Sequence, residues 1–205
     1  MSGSSARRVP QTPMMTLPGT TLRTTFQVLL FNILATGTWL RSGAAAEAPT
    51  EYQVEAAFVF NFSHFVEWPP QTFIAPTEPF VIGVLGSDPL VAQLDEAVRG
   101  EQLNGHPLAV RRFRNVAEID TCQILFIDRS ESSRLGPILA ALNGRSTLTV
   151  SQAGGAAEHG VMIQFATADN RIRLRINVES ARAAGLTISS KLLRPAEIVS
   201  ARVKG

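Results

Sequence analysis

Cysteine is almost absent from the chain, since Cys122 is the only one among 205 residues. A single cysteine excludes a disulfide within the chain, whatever the redox compartment. Cys122 opens the apolar run Cys122–Ile127, which predicts a buried strand. A buried cysteine usually behaves as a small hydrophobic residue. We therefore expect a structural thiol rather than a nucleophile or a redox sensor.

Acidic residues are missing from the first 46 positions, which hold four arginines and no aspartate or glutamate. The rest of the chain contains 15 basic and 17 acidic residues, a net charge of −2. The overall charge of +2 therefore comes from the N-terminal segment. Beyond that segment the chain lacks the excess of positive charge that a nucleic-acid surface requires, so we predict no nucleic-acid partner.

No apolar stretch reaches the roughly 20 residues that a membrane-spanning helix needs. The apolar run 26–40 follows Arg23 and precedes Ala44–Ala46, whose small side chains suit a signal peptidase. This order predicts a cleaved signal peptide over residues 1–46 and one mature domain over residues 47–205, exported beyond the inner membrane. An uncleaved membrane anchor is the alternative.

The residues needed for catalysis or metal binding are sparse. The chain has three histidines and no G-x-S-x-G motif, whereas a hydrolytic triad holds a nucleophile, a base and an orienting group together. His64 and Glu67 lie three residues apart on a predicted helix, but two ligands do not complete a metal site. We therefore predict no enzyme activity, no catalytic residues, no metal and no cofactor.

Short apolar runs alternate with helical patterns over the first part of the mature chain. The alternation predicts an α/β domain of three layers, with a mostly parallel sheet covered by helices on both sides. The predicted strands are Phe80–Leu85, Leu108–Phe113, Cys122–Ile127 and Thr147–Val150. The predicted helices cover residues 51–68, 89–100 and 130–142, and Ser87 or Asp88 is the expected cap of the second.

The C-terminal part follows a different pattern. Val161–Ala166 and Arg171–Ile176 flank the turn pair Asp169–Asn170, which predicts an antiparallel hairpin at the edge of the sheet. A helix is expected over residues 178–185, ended by glycine. A last helix, capped by Ser189 or Ser190, is expected to extend to Val199.

Three arginines alternate with apolar residues in the second strand of this hairpin. The period of two places Arg171, Arg173 and Arg175 on one face of the strand. Such charges can protect a sheet edge from aggregation. Alternatively, the three guanidinium groups form a patch that binds an anion or an acidic partner.

Several segments together resemble one protein family. The helix from Glu55 ends in Glu67-Trp68-Pro69, the central strand has the sequence Cys-Gln-Ile-Leu-Phe-Ile, and the closing part contains Leu186-Thr-Ile-Ser-Ser-Lys-Leu-Leu193. Gly160-Val-Met-Ile163 and Arg171-Ile-Arg-Leu-Arg-Ile-Asn177 belong to the same closing part. These segments are similar to those of the YfiR-like periplasmic proteins, and the similarity extends over about residues 51–199.

The resemblance implies a non-enzymatic periplasmic regulator. Its expected action is to bind the periplasmic sensor region of an inner-membrane diguanylate cyclase and repress it, which lowers cyclic di-GMP and biofilm formation. The resemblance also implies an outer-membrane lipoprotein that sequesters the repressor. It further implies that the chain can form a homodimer. Redox tuning by intrachain disulfides is not implied, because Cys122 stands alone.

Two classes of function remain open at this stage. The first is the protein-binding repressor, with Arg171, Arg173, Arg175, Ser189, Ser190 and Lys191 as the expected partner- or anion-binding residues. The second is a periplasmic sensor domain that binds a small molecule at the sheet edge. A neighbouring cyclase gene would favour the first class, and a neighbouring transporter gene would favour the second.

The basic, apolar and small-residue segments together predict cleavage near Ala46. Mass spectrometry of the periplasmic protein should give an N-terminus near Glu47. Recovery of intact Met1 in the cytoplasm would contradict export.

Overall fold

A computed structural model of the chain describes residues 49–73, 75, 77–86, 89–168 and 171–200. The predicted signal peptide lies outside the described residues, as do the expected cap residues Ser87 and Asp88 and the turn pair Asp169–Asn170. Within the described ranges, no helix is both long enough and apolar enough to cross a membrane.

Five α-helices and ten strands make up the described fold. The helices are α1 (Glu51–Phe65), α2 (Leu90–Ala97), α3 (Leu135–Ala141), α4 (Val178–Ala183) and α5 (Ser190–Leu193). The strands are β1 (Val66–Glu67), β2 (Phe80–Leu85), β3 (Gln102–Leu103), β4 (His106–Phe113), β5 (Ile124–Ile127), β6 (Leu148–Ser151), β7 (Ile163–Ala168), β8 (Arg171–Ile176), β9 (Thr187–Ile188) and β10 (Glu197–Ile198). Short 3₁₀ turns lie at Pro70–Thr72, Val116–Glu118 and Arg129–Arg134.

The main sheet has the strand order β10-β8-β7-β6-β5-β2-β4-β3. The five strands from β7 to β4 are parallel, whereas β8 runs antiparallel to β7 and β3 runs antiparallel to β4. The predicted α/β class, with a mostly parallel sheet and an antiparallel hairpin near its edge, is confirmed. The two-residue strand β10, which was not predicted, pairs in parallel with the end of β8.

Alternating side chains of the central strands fill two separate hydrophobic cores, one on each face of the sheet. Ile82 of β2 belongs to the core beneath α1 and α2, and its neighbour in sequence, Val81, belongs to the core beneath α3. Every residue of β2 and β5 is buried. Burial on both faces is characteristic of parallel strands that are covered by crossover helices.

Helix α1 begins with a capping box, in which Thr50 Oγ1 accepts from the Gln53 amide and Gln53 Oε1 accepts from the Thr50 amide. The expected end at Trp68 is wrong, because the helix stops at Phe65. Val66 and Glu67 turn into an extended strand that pairs antiparallel with Ile188 and Thr187. Pairing with a distant segment therefore overrides the local helical pattern.

The expected last helix, extending to Val199, is also wrong. Helix α5 ends at Leu193, and Glu197–Ile198 forms β10 instead. Pro195 follows directly after the first residue beyond the helix. Because proline lacks an amide hydrogen and restricts the residue before it, it favours an end to the helix here. Ser189 is the N-cap, with its Oγ accepting from the Lys191 amide at 3.3 Å.

The buried side chains of α1 lead to a prediction about the free energy of unfolding. Phe62 is fully buried and stacks on Phe165 at a ring-centroid distance of 5.9 Å. Phe62→Ala should lower the free energy of unfolding by about 3–5 kcal/mol in a denaturant titration. Tyr52→Ala, which removes a 37% exposed aromatic ring from the same helix, should cost less than about 1 kcal/mol. Equal losses would contradict the assigned burial.

Cys122 generates a prediction on pH dependence. Burial, and secondarily the charge of Asp120, raises the pKa of the thiol from 9.0 to about 12. Above pH 9 the unfolded thiol loses its proton while the folded one keeps it, so stability should fall as pH rises from 9 towards 12. The Cys122 contribution to this slope is at most about 1.4 kcal/mol per pH unit. Urea titrations of the wild type and Cys122→Ala should differ in slope over this window, and identical slopes would contradict the buried thiol.

Candidate functional site

The arginine strip, defined as Arg171, Arg173 and Arg175 of β8, lies on the sheet face opposite α1. Leu174 and Ile176, between and after the arginines, are buried in the core beneath α1. Across the hairpin, Gln164, Ala166 and Ala168 of β7 pair with Arg175, Arg173 and Arg171 respectively. The structure therefore brings the three arginines together on one face, as the alternation predicts.

Arg175 is already engaged by carboxylates of the same chain. Its guanidinium lies 2.6 Å from Glu158 Oε1 and 2.9 Å from Glu197 Oε1. The hydrogen bonds to Glu197 and Glu158 raise the pKa of Arg175 further. The side chain of Arg175 is only 22% exposed. It therefore ties β8 to two neighbours, the segment after β6 and the edge strand β10.

Arg171 and Arg173 are in a different situation from Arg175. Both are exposed, and the residues paired with them on β7 are alanines, which offer no opposite charge. Among the described residues, neither guanidinium forms an ion pair. These two side chains are the part of the strip that is available to a carboxylate or phosphate, and the planar guanidinium group suits either ligand.

The second expected site segment lies towards the other end of the sheet. The Ser189 amide donates to the Phe65 carbonyl at 2.8 Å, which anchors the segment at the C-terminal end of α1. Arg171, in contrast, pairs with the last residue of β7, while the N-terminal Glu51 of α1 contacts Thr167 next to it. Lys191 and Ser190 are exposed, and Ser189 acts as a helix cap. The strip and the Ser189–Lys191 segment are therefore two surfaces rather than one.

Two of the segments that carry the family resemblance, the one ending in Glu67-Trp68-Pro69 and the one from Leu186 to Leu193, meet in space. Val66–Glu67 and Thr187–Ile188 form the small sheet β1–β9. Next to it, the Trp68 indole donates to the Gln123 carbonyl at 3.2 Å and packs edge-on against Phe80 at 5.0 Å between ring centroids. Trp68 therefore fixes this junction to the beginning of β5. These contacts assign both segments a structural role.

A cleft at the carboxyl ends of the strands was missed by the sequence analysis. It has a volume of about 760 Å³ and lies beside Arg129 after β5, Gln152 after β6 and Gln164 of β7. Glu51 and the buried Glu55 of α1, with Ser132 and Thr167, also belong to its polar lining. Ligands of parallel α/β sheets bind at this end of the strands, and the volume falls within the usual range for small-molecule sites. No local motif identifies the cleft, because its lining comes from distant segments.

At the point where the winding direction reverses, between β2 and β5, the described residues pack closely. Gly86 follows β2 with a φ of +113°, and a Cβ atom built there would lie 2.7 Å from the Cβ of Asp128. Arg112 Nε donates to the Gly86 carbonyl at 3.1 Å. Gly86 is therefore a turn residue packed closely against Asp128, and a side chain at this position would not fit.

Metal-binding chemistry finds no support in the described part of the chain. Because α1 ends at Phe65, His64 and Glu67 do not share a helical face as expected. His64 Nδ1 lies 3.0 Å from Ser63 Oγ instead. Within the described residues, no group of three or more histidine, cysteine or carboxylate side chains is arranged to hold a metal ion.

None of the curated proteins matches the chain. A family model described as YfiR/HmsC-like matches residues 52–197, which covers most of the described fold from the first turn of α1 to β10. The chain therefore belongs to the YfiR/HmsC-like family, whose members are periplasmic regulators of cyclic di-GMP signalling.

Proposed function

We propose that this chain is a periplasmic repressor that binds the sensor region of an inner-membrane diguanylate cyclase through Arg171 and Arg173. Family membership supports the coarse role, a regulator acting on a membrane signalling protein. The observation that carries the finer proposal is the contrast within the strip, because Arg175 has two internal carboxylates and the other arginines face alanines.

Electrostatics favours an acidic partner surface. Neighbouring guanidinium groups on one strand face repel each other, although in water the cost is at most about 1 kcal/mol per pair. A carboxylate brought between Arg171 and Arg173 offsets this repulsion and forms charge-assisted hydrogen bonds. Such contacts mainly determine partner choice and the rate of association. Binding that uses them should weaken as salt rises.

Arg175 has a supporting role in this proposal. Its ion pairs with Glu158 and Glu197 hold β10 and the segment after β6 against β8. These ion pairs stabilise the C-terminal end of β8, the strand that carries the exposed Arg171 and Arg173. Removal of Arg175 would disturb the presentation of the strip rather than a contact with the partner.

The cleft at the carboxyl ends of the strands favours a second candidate function, which is that of a sensor for a small molecule. Its lining combines two glutamates, one arginine and two glutamines. Such a set suits a ligand rich in hydroxyl or amide groups, because carboxylates accept and amides both donate and accept hydrogen bonds. The two functions are compatible, since the cleft and the exposed arginines do not share side chains.

Charge reversal in the strip tests the repressor proposal. Arg173→Glu should weaken binding of the cyclase by about 2 kcal/mol, or roughly thirtyfold, if Arg173 meets a carboxylate. Cells that carry this variant should show raised cyclic di-GMP and more biofilm than wild-type cells. The free energy of unfolding should change by no more than about 0.5 kcal/mol, because the site is on the surface.

Arg114→Glu is the matched control, since it makes the same charge change at an exposed site after β4, towards the other edge of the sheet. It should leave repression intact. Lys191→Glu probes the Ser189–Lys191 segment. Derepression by Lys191→Glu and not by Arg173→Glu would move the contact to that segment. Unchanged cyclic di-GMP after deletion of the whole gene would reject repression itself.

A further inference from the structure

In the part of the chain that the structure describes, the outer edge of β8 lacks a neighbouring strand along most of its length. On that side, β10 pairs with Arg175 and Ile176 only, so among the described residues the stretch Arg171–Leu174 has a strand neighbour on the β7 side alone. Four residues of strand correspond to about 13 Å of exposed edge. Unpaired edges of this kind are templates for an additional strand.

The backbone groups that face outwards are set by the alternation of the strand. The Ile176 carbonyl accepts from the Val199 amide at 3.0 Å on the β10 side, whereas the Asn177 amide donates to the Met162 carbonyl at 2.8 Å on the β7 side. Residues with the same parity point the same way. Ile172 and Leu174 therefore direct their backbone groups towards the open edge, and Arg171 and Arg173 direct theirs towards β7.

The two faces beside this edge have different chemistry. One face carries the exposed guanidinium groups of Arg171 and Arg173. On the other face, a hollow of about 400 Å³ lies against Ile172, with Val54 and Phe58 of α1 as its apolar lining, while Glu51, Thr167 and Arg171 contribute polar atoms at its rim. A strand added to the edge would meet the arginines with every second side chain and the apolar lining of Val54, Phe58 and Ile172 with the others.

We propose that β8 receives an extended segment of the partner, with acidic and apolar residues in alternation, as an additional strand of the sheet. This mode of recognition draws affinity from main-chain hydrogen bonds and specificity from alternate side chains. The inference rests on the proposed function for the identity of the partner. The chemistry of the segment comes from the edge itself.

Charge opposes a closed pair of two copies of this chain at this edge. If two β8 strands paired antiparallel at their open edges, which is the arrangement that two-fold symmetry gives, residues of the same parity would lie opposite each other. Arginine would then face arginine along the whole strip. Like charges directly opposite each other destabilise a strand pair, whereas acidic side chains at the same positions would be complementary.

Model peptides test the edge directly. The probe is an acetylated, amidated octapeptide of alternating glutamate and valine, added to the protein as purified from the periplasm. Its controls are the lysine–valine octapeptide and a fully N-methylated glutamate–valine octapeptide, which keeps its charge but lacks amide donors. The probe should bind at least about tenfold more tightly than either control. Equal affinity for the N-methylated peptide, or absence of binding, would overturn strand addition.

Amide hydrogen exchange gives a second readout that needs no variant. The saturating probe should slow exchange at the Ile172 and Leu174 amides, which face outwards, and leave the Arg173 amide unchanged. Unaltered exchange at both outward amides would overturn the proposal. Protection confined to α1 would also overturn it, because the peptide would then lie on the helix.

A pair of substitutions at one position separates backbone from side chain. Ile172→Pro and Ile172→Ala both remove the apolar side chain, but only proline removes the outward amide, and edge strands tolerate proline there. Ile172→Pro should bind the probe about tenfold more weakly than Ile172→Ala. Equal affinity of the two would count against strand addition.

The outcomes for the two proposals can be distinguished. Derepression by Arg173→Glu without protection of the Ile172 amide would support the repressor proposal and reject strand addition. Protection of the Ile172 amide without any effect of Arg173→Glu on the cyclase would support strand addition and reject the repressor proposal.

Discussion

Burial of the central strands on both faces is the constraint on which the rest of the structure depends. All residues of β2 and β5 are buried, so helices must cover the sheet above and below. Their backbone polar groups form hydrogen bonds with parallel neighbouring strands. Their side chains pack into two separate hydrophobic cores, one on each face of the sheet. The faces of the sheet are thereby closed to ligands over its centre. The strand ends and the outer edge remain accessible, and the cleft and the arginine strip lie there.

The change of strand direction at β8 creates the outer edge and its charge pattern. A parallel strand at this position would need a crossover helix, but the antiparallel hairpin needs only a short turn and leaves the outward side of β8 uncovered. A bare edge risks aggregation, and arginine is one of the residues that blunts it. The same two exposed arginines can serve protection and recognition, because only a partner of opposite charge removes the repulsion that keeps other strands away.

The sequence predicted the fold class well, because its signals are local. Continuous apolar runs such as Phe80–Leu85 can be buried strands, and the helical repeats between them fix the alternation. The failures occurred where distant segments decide the local structure. Val66 and Glu67 continue a helical pattern but pair with β9, and Glu197–Ile198 follows a broken helix and pairs with β8. Two-residue strands have no periodicity of their own, so their pairing cannot be read from a local pattern.

The candidate site was predictable only in part, for a related reason. Alternation in β8 places three arginines on one face, but nothing in that pattern distinguishes Arg175 from the other two. The distinction comes from Glu158 and Glu197, which are 17 and 22 residues away in the chain. The cleft was missed because its walls come from α1 and from the segments after β5 and β6.

Glu158 belongs to the same connection between β6 and β7 as Gln152 and Gly154 of the cleft wall. Through its ion pair with Arg175, this connection touches both the cleft and the strand that carries the strip. The ligand-sized cleft and the charged edge are therefore joined in this fold by one short segment and one ion pair.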